Sequence, residues 1–191
     1  MASFISSGRF LAVLDASVLY SVPLTDLFIR LCGAGLYRAI WSDDIHEEWM
    51  RSLLAHRPDL QRPGLERRRD AMLRALPDAS IHGYDKLIPG LELPDPDDRH
   101  VLAAAIRARA ALIVTHNLKD FPDEVLEPFA LRAVHPDAFA CDLYHLNPQR
   151  VAAIAESQRT ALTKPPVGRA HFLGKLEACG LVELARLLSE T

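Results

Sequence analysis

The 191-residue sequence has few cysteines and no long apolar run, and both absences narrow the class of protein. Cys32, Cys141 and Cys179 are widely spaced and form no CxxC pair. Three dispersed cysteines argue against a disulfide scaffold and a thiolate zinc site, and they are typical of a reducing cytoplasm. No apolar segment is long enough to cross a bilayer, and Met1–Arg9 lacks the pattern of a signal peptide. We therefore predict a cytoplasmic protein that does not contact a membrane.

Zinc-binding histidine motifs and a strong charge of one sign are also missing. The eight histidines include no HExxH, so we predict that they are surface or helix-capping residues. A net charge of −3 and a pI near 6.2 give no general electrostatic attraction to nucleic acid. They do not exclude nucleic-acid binding either. Carboxylates that bind a metal make the net charge of the chain more negative, and a bound cation would offset that negative charge.

Short apolar runs alternate with helical patterns over the first three quarters of the chain. The run at 10–14 is apolar throughout and ends at Asp15, as expected of a strand buried on both faces. Further strands are predicted at 37–41, 111–115 and 129–134, and 79–82 could form another short one. This alternation predicts an α/β fold of three αβα layers around a central parallel sheet.

The pattern changes near Asn147, after which only helices are predicted. One helix runs from Asn147 to Leu162, and two short ones surround Gly180 within 170–188. We therefore divide the chain into an α/β domain at 1–145 and a small helical extension at 146–191.

The segment Asp95-Pro96-Asp97-Asp98 opens a helix and directs acids toward its apolar side. On a helical projection Asp98 lies at the centre of that side, Asp95 lies near it and Asp97 points away. A carboxylate directed at apolar packing is costly unless a cation or hydrogen bonds compensate it. Capping and the helix dipole explain Asp97, whereas Asp95 and Asp98 are candidates for function. The apolar side consists of Leu102, Ala105 and Ile106, with Val101 at its edge.

Further polar residues should meet these acids, because carboxyl ends of parallel strands and the starts of following helices share one sheet edge. Asp15 follows the first strand, and Asn117 and Asp120 follow the strand at 111–115. Ser17 and Thr115 could support the acids with their hydroxyls or could be ordinary cap and strand residues. Oxygen ligands without clustered Cys or His predict Mg²⁺ or Mn²⁺, whose usual task in such a cluster is phosphoryl chemistry.

The helix after the second strand offers two neighbouring glutamates at the same edge, Glu47 and Glu48. Asp44 and Glu47 have the spacing of a capping box, which would give Glu47 a structural role. The helical projection does not decide between the two glutamates.

Four segments, taken in order, resemble PIN-domain ribonucleases, and most of all the VapC-type toxins of bacterial toxin–antitoxin pairs. The resemblance covers roughly residues 10–140. The four segments in this order are more specific evidence for the family than any one of them alone. The segments are Leu-Asp-Ala-Ser-Val-Leu at 14–19, Trp-Ser-Asp-Asp-Ile-His-Glu-Glu-Trp at 41–49, Asp-Pro-Asp-Asp-Arg-His-Val-Leu-Ala-Ala-Ala at 95–105 and Ile-Val-Thr-His-Asn-Leu-Lys-Asp-Phe at 113–121.

The resemblance implies catalytic roles for Asp15, Glu48 and Asp98, with Asp95 as an added acid of a DPDD subgroup. At the position where the family has its fourth acid, this chain has Asn117, and Asp120 follows three residues later. The replacement of the acid by an amide leaves open whether one or two metals bind. The resemblance further implies Mg²⁺- or Mn²⁺-dependent cleavage of single-stranded RNA, inhibition by a cognate antitoxin protein and a homodimer. The helical C-terminal region resembles an extension found in a subgroup.

Basic side chains could bind the RNA backbone or could form an ordinary solvated face. They lie mainly in the Arg-rich helix at 65–76, and the candidates are Arg67, Arg68, Arg99 and Lys119.

Four alternatives compete with the VapC-type nuclease. A haloacid dehalogenase phosphatase needs an Asp where this chain has Ser17, and a response-regulator receiver needs an acid pair that the first strand's end lacks. A PIN-fold nuclease of RNA processing and a catalytically inactive PIN-fold binding module stay open as alternatives.

Overall fold

The structure is a computed structural model that describes residues 10–190. The interpretation of Met1–Arg9 as lacking a signal peptide lies outside the described residues. Within them, no helix is long and apolar enough to span a membrane.

A parallel sheet of four strands forms the centre of the described chain. The strands run in the spatial order β2-β1-β3-β4, and all neighbouring pairs are parallel. Val13 pairs with Ile40 on one side and with Ile113 on the other. The strands are β1 (Leu11–Leu14), β2 (Arg38–Ile40), β3 (Leu112–Val114) and β4 (Arg132–Val134).

Helices flank this sheet and complete the predicted three-layer αβα fold. Phe139 packs edge-on to Tyr37, with ring centroids 5.0 Å apart, and also contacts Phe28, so aromatic rings fill the core at one face. The helices up to the last strand are α1 (Ala16–Leu19), α2 (Val22–Gly33), α3 (Asp43–His56), α4 (Arg62–Ala75), α5 (Arg99–Ala108) and α6 (Asp123–Leu126).

Four helices follow β4: α7 (Pro136–Leu146), α8 (Pro148–Ala161), α9 (Arg169–Ala178) and α10 (Val182–Ser189). Helix α7 packs against both α8 and α10, so these helices share the core of the α/β part. The helical character of the C-terminal region is confirmed, whereas the division at residue 145 stays a prediction.

The suggested short strand at 79–82 does not form. A 3₁₀ turn at Pro77–Ala79 replaces its beginning, and only Ser80 pairs with Trp41, through one isolated parallel bridge. The proline and this turn leave too few extended residues for a ladder.

Candidate active site

The order of the strands places a crevice between the carboxyl ends of β1 and β3. The chain leaves β1 toward β2 on one side, whereas β3 lies on the other side of β1. Such a reversal opens the sheet edge where α/β proteins form their sites. Asp15 follows β1 and Thr115 follows β3, so both residues lie at this crevice.

Asp15 is buried and accepts hydrogen bonds at both carboxylate oxygens. Its side chain is 2% exposed. Oδ1 accepts from the Ala16 N–H at 2.7 Å, and the carboxylate also caps α1. Oδ2 accepts from the hydroxyls of Ser17 at 2.6 Å and Thr115 at 2.8 Å. Burial raises the pKa of Asp15, and the Ser17 and Thr115 hydrogen bonds partly oppose that rise.

The two hydroxyls connect Asp15 to the loop after β3. The Asn117 N–H donates to Thr115 Oγ1 at 2.9 Å, and the His116 N–H donates to Ser17 Oγ at 3.2 Å. Because each hydroxyl donates onward to Asp15, all these hydrogen bonds point toward its carboxylate. Ser17 and Thr115 therefore hold both the carboxylate and the loop backbone, as one of the two alternatives for them predicts.

Asp98 is the second buried acid of the crevice, and its burial agrees with the helical projection. It is 8% exposed and ends a 3₁₀ turn, Pro96–Asp98, directly before α5. Its side chain makes no capping hydrogen bond to α5. Burial raises the pKa of Asp98 to about 7, with further contributions from the negative charges of Asp15, Glu48, Asp95 and Asp120.

The structure gives the side chains of Glu47 and Glu48 different surroundings. Glu48 lies on the crevice side of α3, since its charge acts on both Asp15 and Asp98. Glu47 instead makes an ion pair with Arg62 of α4, and that pair is roughly half exposed. The predicted capping box at Asp44 and Glu47 is wrong, because Ser42 caps α3 by accepting from the Ile45 N–H.

The remaining predicted ligands differ in burial. Asp95 is exposed and accepts from the Asp97 N–H at 2.9 Å, so it caps its own turn while its charge still acts on Asp98. Asp120 is half-buried and also acts on Asp98. Asn117 is exposed. The charges of Asp15, Glu48, Asp95 and Asp120 thus all act on Asp98, whereas the side chains of Asp95 and Asn117 are exposed.

His100 is a residue at the site that sequence reasoning missed. Its Nε2 lies 3.2 Å from Glu48 Oε2, and Glu48 raises the pKa of His100 against the opposing effect of burial. Its position two residues after Asp98, on the first turn of α5, is the signal that could have identified it.

The prediction that the histidines lie at the surface or cap helices holds for His135 and is wrong for His46. His135 caps α7 by accepting from the Asp137 N–H. His46 is 1% exposed, accepts a hydrogen bond from Trp49 Nε1, and has its pKa lowered to about 4 by burial.

Arg68 requires a correction among the predicted RNA-binding residues. Its guanidinium lies 4.6 Å from the Trp49 ring centre and donates to the backbone oxygens of Leu19 and Tyr20. Burial lowers the pKa of Arg68 to about 10. Because the guanidinium satisfies carbonyls at the end of α1, Arg68 is a structural residue and not an RNA contact.

The other predicted RNA contacts are accessible. Arg67 and Lys119 are exposed, and the half-buried Arg99 donates to the Pro96 oxygen at 2.8 Å. Lys119 and Arg99 adjoin Asp120 and Asp98 in the sequence.

The side chains at the crevice fit a divalent cation by their chemistry. Among residues 10–190, no three Asp, Glu, His or Cys side chains already converge to a ready metal cluster. Several acids nevertheless act electrostatically on the buried Asp98, and the buried Glu48 Oε2 lies 3.2 Å from His100 Nε2. Carboxylate oxygens are the ligands that Mg²⁺ and Mn²⁺ prefer.

Comparisons with known proteins agree with this fold. The PIN-domain family model matches residues 11–119, more than half of the chain, and the chain therefore belongs to the PIN-domain family. A second family model, described as the VapC50 C-terminal domain, matches residues 136–190.

A curated protein of Mycobacterium tuberculosis (strain ATCC 25618 / H37Rv), named "Putative ribonuclease VapC50", is 43% identical to the chain over 88 residues. The matched region covers 46% of this chain and 52% of that protein, so the chain spans about half the length of its curated relative. No solved structure shows a significant match to the chain.

Proposed function

We propose that this protein is a divalent-metal-dependent endoribonuclease that cleaves single-stranded RNA. The observation that carries the proposal is the burial of Asp15 and Asp98, whose pKa values are both raised by burial and also by the negative charge of Glu48. Membership of the PIN-domain family and the relative named as a ribonuclease support the same activity.

Each acid has a distinct part in this proposal. Asp15, Glu48 and Asp98 would hold Mg²⁺ or Mn²⁺, with Asp120 beside them and Asp95 and Asn117 at the rim. When bound, the ion supplies an activated water and stabilises negative charge on the phosphate. Ser17 and Thr115 orient the Asp15 carboxylate, and His100 holds Glu48.

The RNA backbone would approach the crevice past cationic side chains. Lys119 and Arg99 adjoin Asp120 and Asp98 in the sequence, and Arg67 on α4 is a further exposed cation. Their charges offset the repulsion between a phosphate and the acid cluster.

The relative's VapC name and the C-terminal match extend the proposal to a toxin with a cognate antitoxin protein. Cys32, Cys141 and Cys179 are free thiols, which suits the reducing cytoplasm where such a pair would act. A homodimer stays a prediction.

Metal removal tests the proposed activity. We expect purified protein to cleave single-stranded RNA with Mg²⁺ or Mn²⁺ and to lose the activity in EDTA, because in this proposal the ion supplies the activated water and stabilises charge on the phosphate. Fragment analysis of a labelled RNA measures this, with metal added back as the control. Full cleavage after exhaustive EDTA treatment would contradict metal dependence, whereas metal binding without cleavage would favour the binding-module alternative.

The two neighbouring glutamates provide a matched pair of variants. We expect Glu48→Gln to lower RNA cleavage about 100-fold, since it removes a charge from the crevice, as loss of a metal ligand does. Glu47→Gln breaks only a half-exposed ion pair with Arg62, so its rate should stay within about twofold of the parent. Initial rates at matched folding, checked by circular dichroism, decide the assignment. Loss of activity in Glu47→Gln alone would reverse it.

A further inference from the structure

The turn between α9 and α10 lies directly against the loop that follows β3. Gly180 in this turn has φ of +86°, in the left-handed region that favours glycine. A Cβ atom added to Gly180 would lie 3.1 Å from His116 Cε1 and 3.9 Å from His135 Cε1. Glycine therefore allows the C-terminal helices to approach the two imidazole rings closely.

His116 is held from a second direction by α7. Its Nδ1 lies 3.1 Å from His135 Nε2, while His135 Nδ1 accepts from the Asp137 N–H. The Asp137 carboxylate in turn accepts from the N–H groups of Glu183 and Leu184 at 2.9 and 3.0 Å. The start of α10 is thus bonded to the same short segment that contacts His116.

The backbone of His116 leads directly to the acid site. Its N–H donates to Ser17 Oγ, and Ser17 donates to Asp15 Oδ2. The next residue, Asn117, donates its N–H to Thr115 Oγ1, which also donates to Asp15. A shift of the His116 ring would therefore move groups that orient Asp15.

We propose that His135 and the C-terminal helices are positioning elements of the nuclease site. They fix the His116 ring between Gly180 and His135, and through the His116 backbone they fix Ser17, Asp15 and the loop that carries Asp120. This inference rests on the proposed function and gives the C-terminal helices a role in it.

Two substitutions of His135 distinguish its cap of α7 from its contact with His116. His135→Asn keeps an oxygen near the position of Nδ1 and can cap α7, but it is too short to reach His116. His135→Gln extends an amide toward the position of Nε2 and can restore the contact with His116. If His135 positions the loop, the Asn variant is impaired and the Gln variant is closer to the parent.

The readouts are RNA cleavage and the Mn²⁺ concentration at half-maximal thermal shift, both on the full chain. We expect His135→Asn to lower kcat about tenfold and to raise the Mn²⁺ midpoint about tenfold, as loss of a residue that orients metal ligands does. The KM for RNA should change less than about twofold, because His135 is not among the predicted RNA contacts.

Two glycine variants provide an independent test on the side of the His116 ring that faces Gly180. Gly180→Ala places a methyl group against His116, whereas Gly174→Ala in α9 meets no atom within 4 Å. We expect the first to lower kcat and weaken the Mn²⁺ response in the same way as His135→Asn. We expect the second to match the parent.

The outcomes distinguish this inference from the proposed function. An active parent whose His135→Asn variant folds, cleaves RNA and responds to Mn²⁺ like the parent overturns the positioning role. A lower melting temperature of Gly180→Ala, with kcat and the Mn²⁺ midpoint unchanged, also overturns the positioning role. A parent that neither cleaves RNA nor responds to Mn²⁺ overturns the proposed function and, with it, this inference.

Discussion

Asp98→Asn is expected to lower RNA cleavage by roughly 100-fold or more, because residues that merely orient metal ligands already contribute up to about that factor. The same substitution should leave the metal-free protein at least as stable as the parent. Asp98 is buried among other carboxylates, so removing its charge relieves repulsion, and asparagine nearly preserves its shape. Loss of activity without loss of stability is typical of a residue retained for function.

Melting curves in EDTA and in Mg²⁺, together with one RNA cleavage assay, measure this prediction. Added Mg²⁺ should raise the melting temperature of the parent more than that of the variant, because a ligand stabilises the state that binds it. If Asp98 served only to cap its helix, its loss would cost about 0.5–2 kcal/mol without metal and would spare activity. Clear destabilisation in EDTA with activity retained would therefore contradict the metal-site proposal.

The metal-free protein should become less stable as pH rises from about 4 to about 7. Asp98 has a pKa of about 7 in the folded chain against an ordinary value of 3.8, so the folded state binds more protons in this interval. The free energy of unfolding then falls with rising pH, and the raised pKa of Asp15 acts in the same direction.

Asp98→Asn isolates the contribution of Asp98 to that pH dependence. Asparagine resembles the protonated acid, so the variant and parent should melt nearly together at pH 4. The variant should melt increasingly above the parent toward pH 8 in EDTA. Thermal unfolding at matched ionic strength across this range measures the difference. A constant difference, or one that shrinks as pH rises, would contradict the raised pKa.

The sequence predicted those parts of the structure that local patterns determine. Strands β1 and β3 are apolar throughout because both of their faces are covered, and that pattern located Asp15 at a strand end. The burial of Asp98 followed from its place on the apolar side of a helix. The family resemblance is confirmed, and so is the three-layer fold.

Contacts between distant elements could not be obtained in this way. Glu47 and Glu48 differ because Arg62, on another helix, pairs with Glu47. Arg68 lies in a run of three arginines, and its inward direction is seen only from its hydrogen bonds to the Leu19 and Tyr20 oxygens at the end of α1. The His116 contacts with His135 and Gly180 likewise join segments that the sequence leaves unrelated.

A calorimetric titration of Mn²⁺ into metal-free protein tests the central claim most directly, that the acids at the sheet edge hold a catalytic divalent ion. The account predicts saturable binding to the parent, binding at least about tenfold weaker in Asp98→Asn, and parent-like binding in Glu47→Gln. Equal Mn²⁺ affinity in the parent and Asp98→Asn, or no binding to the folded parent, would contradict it.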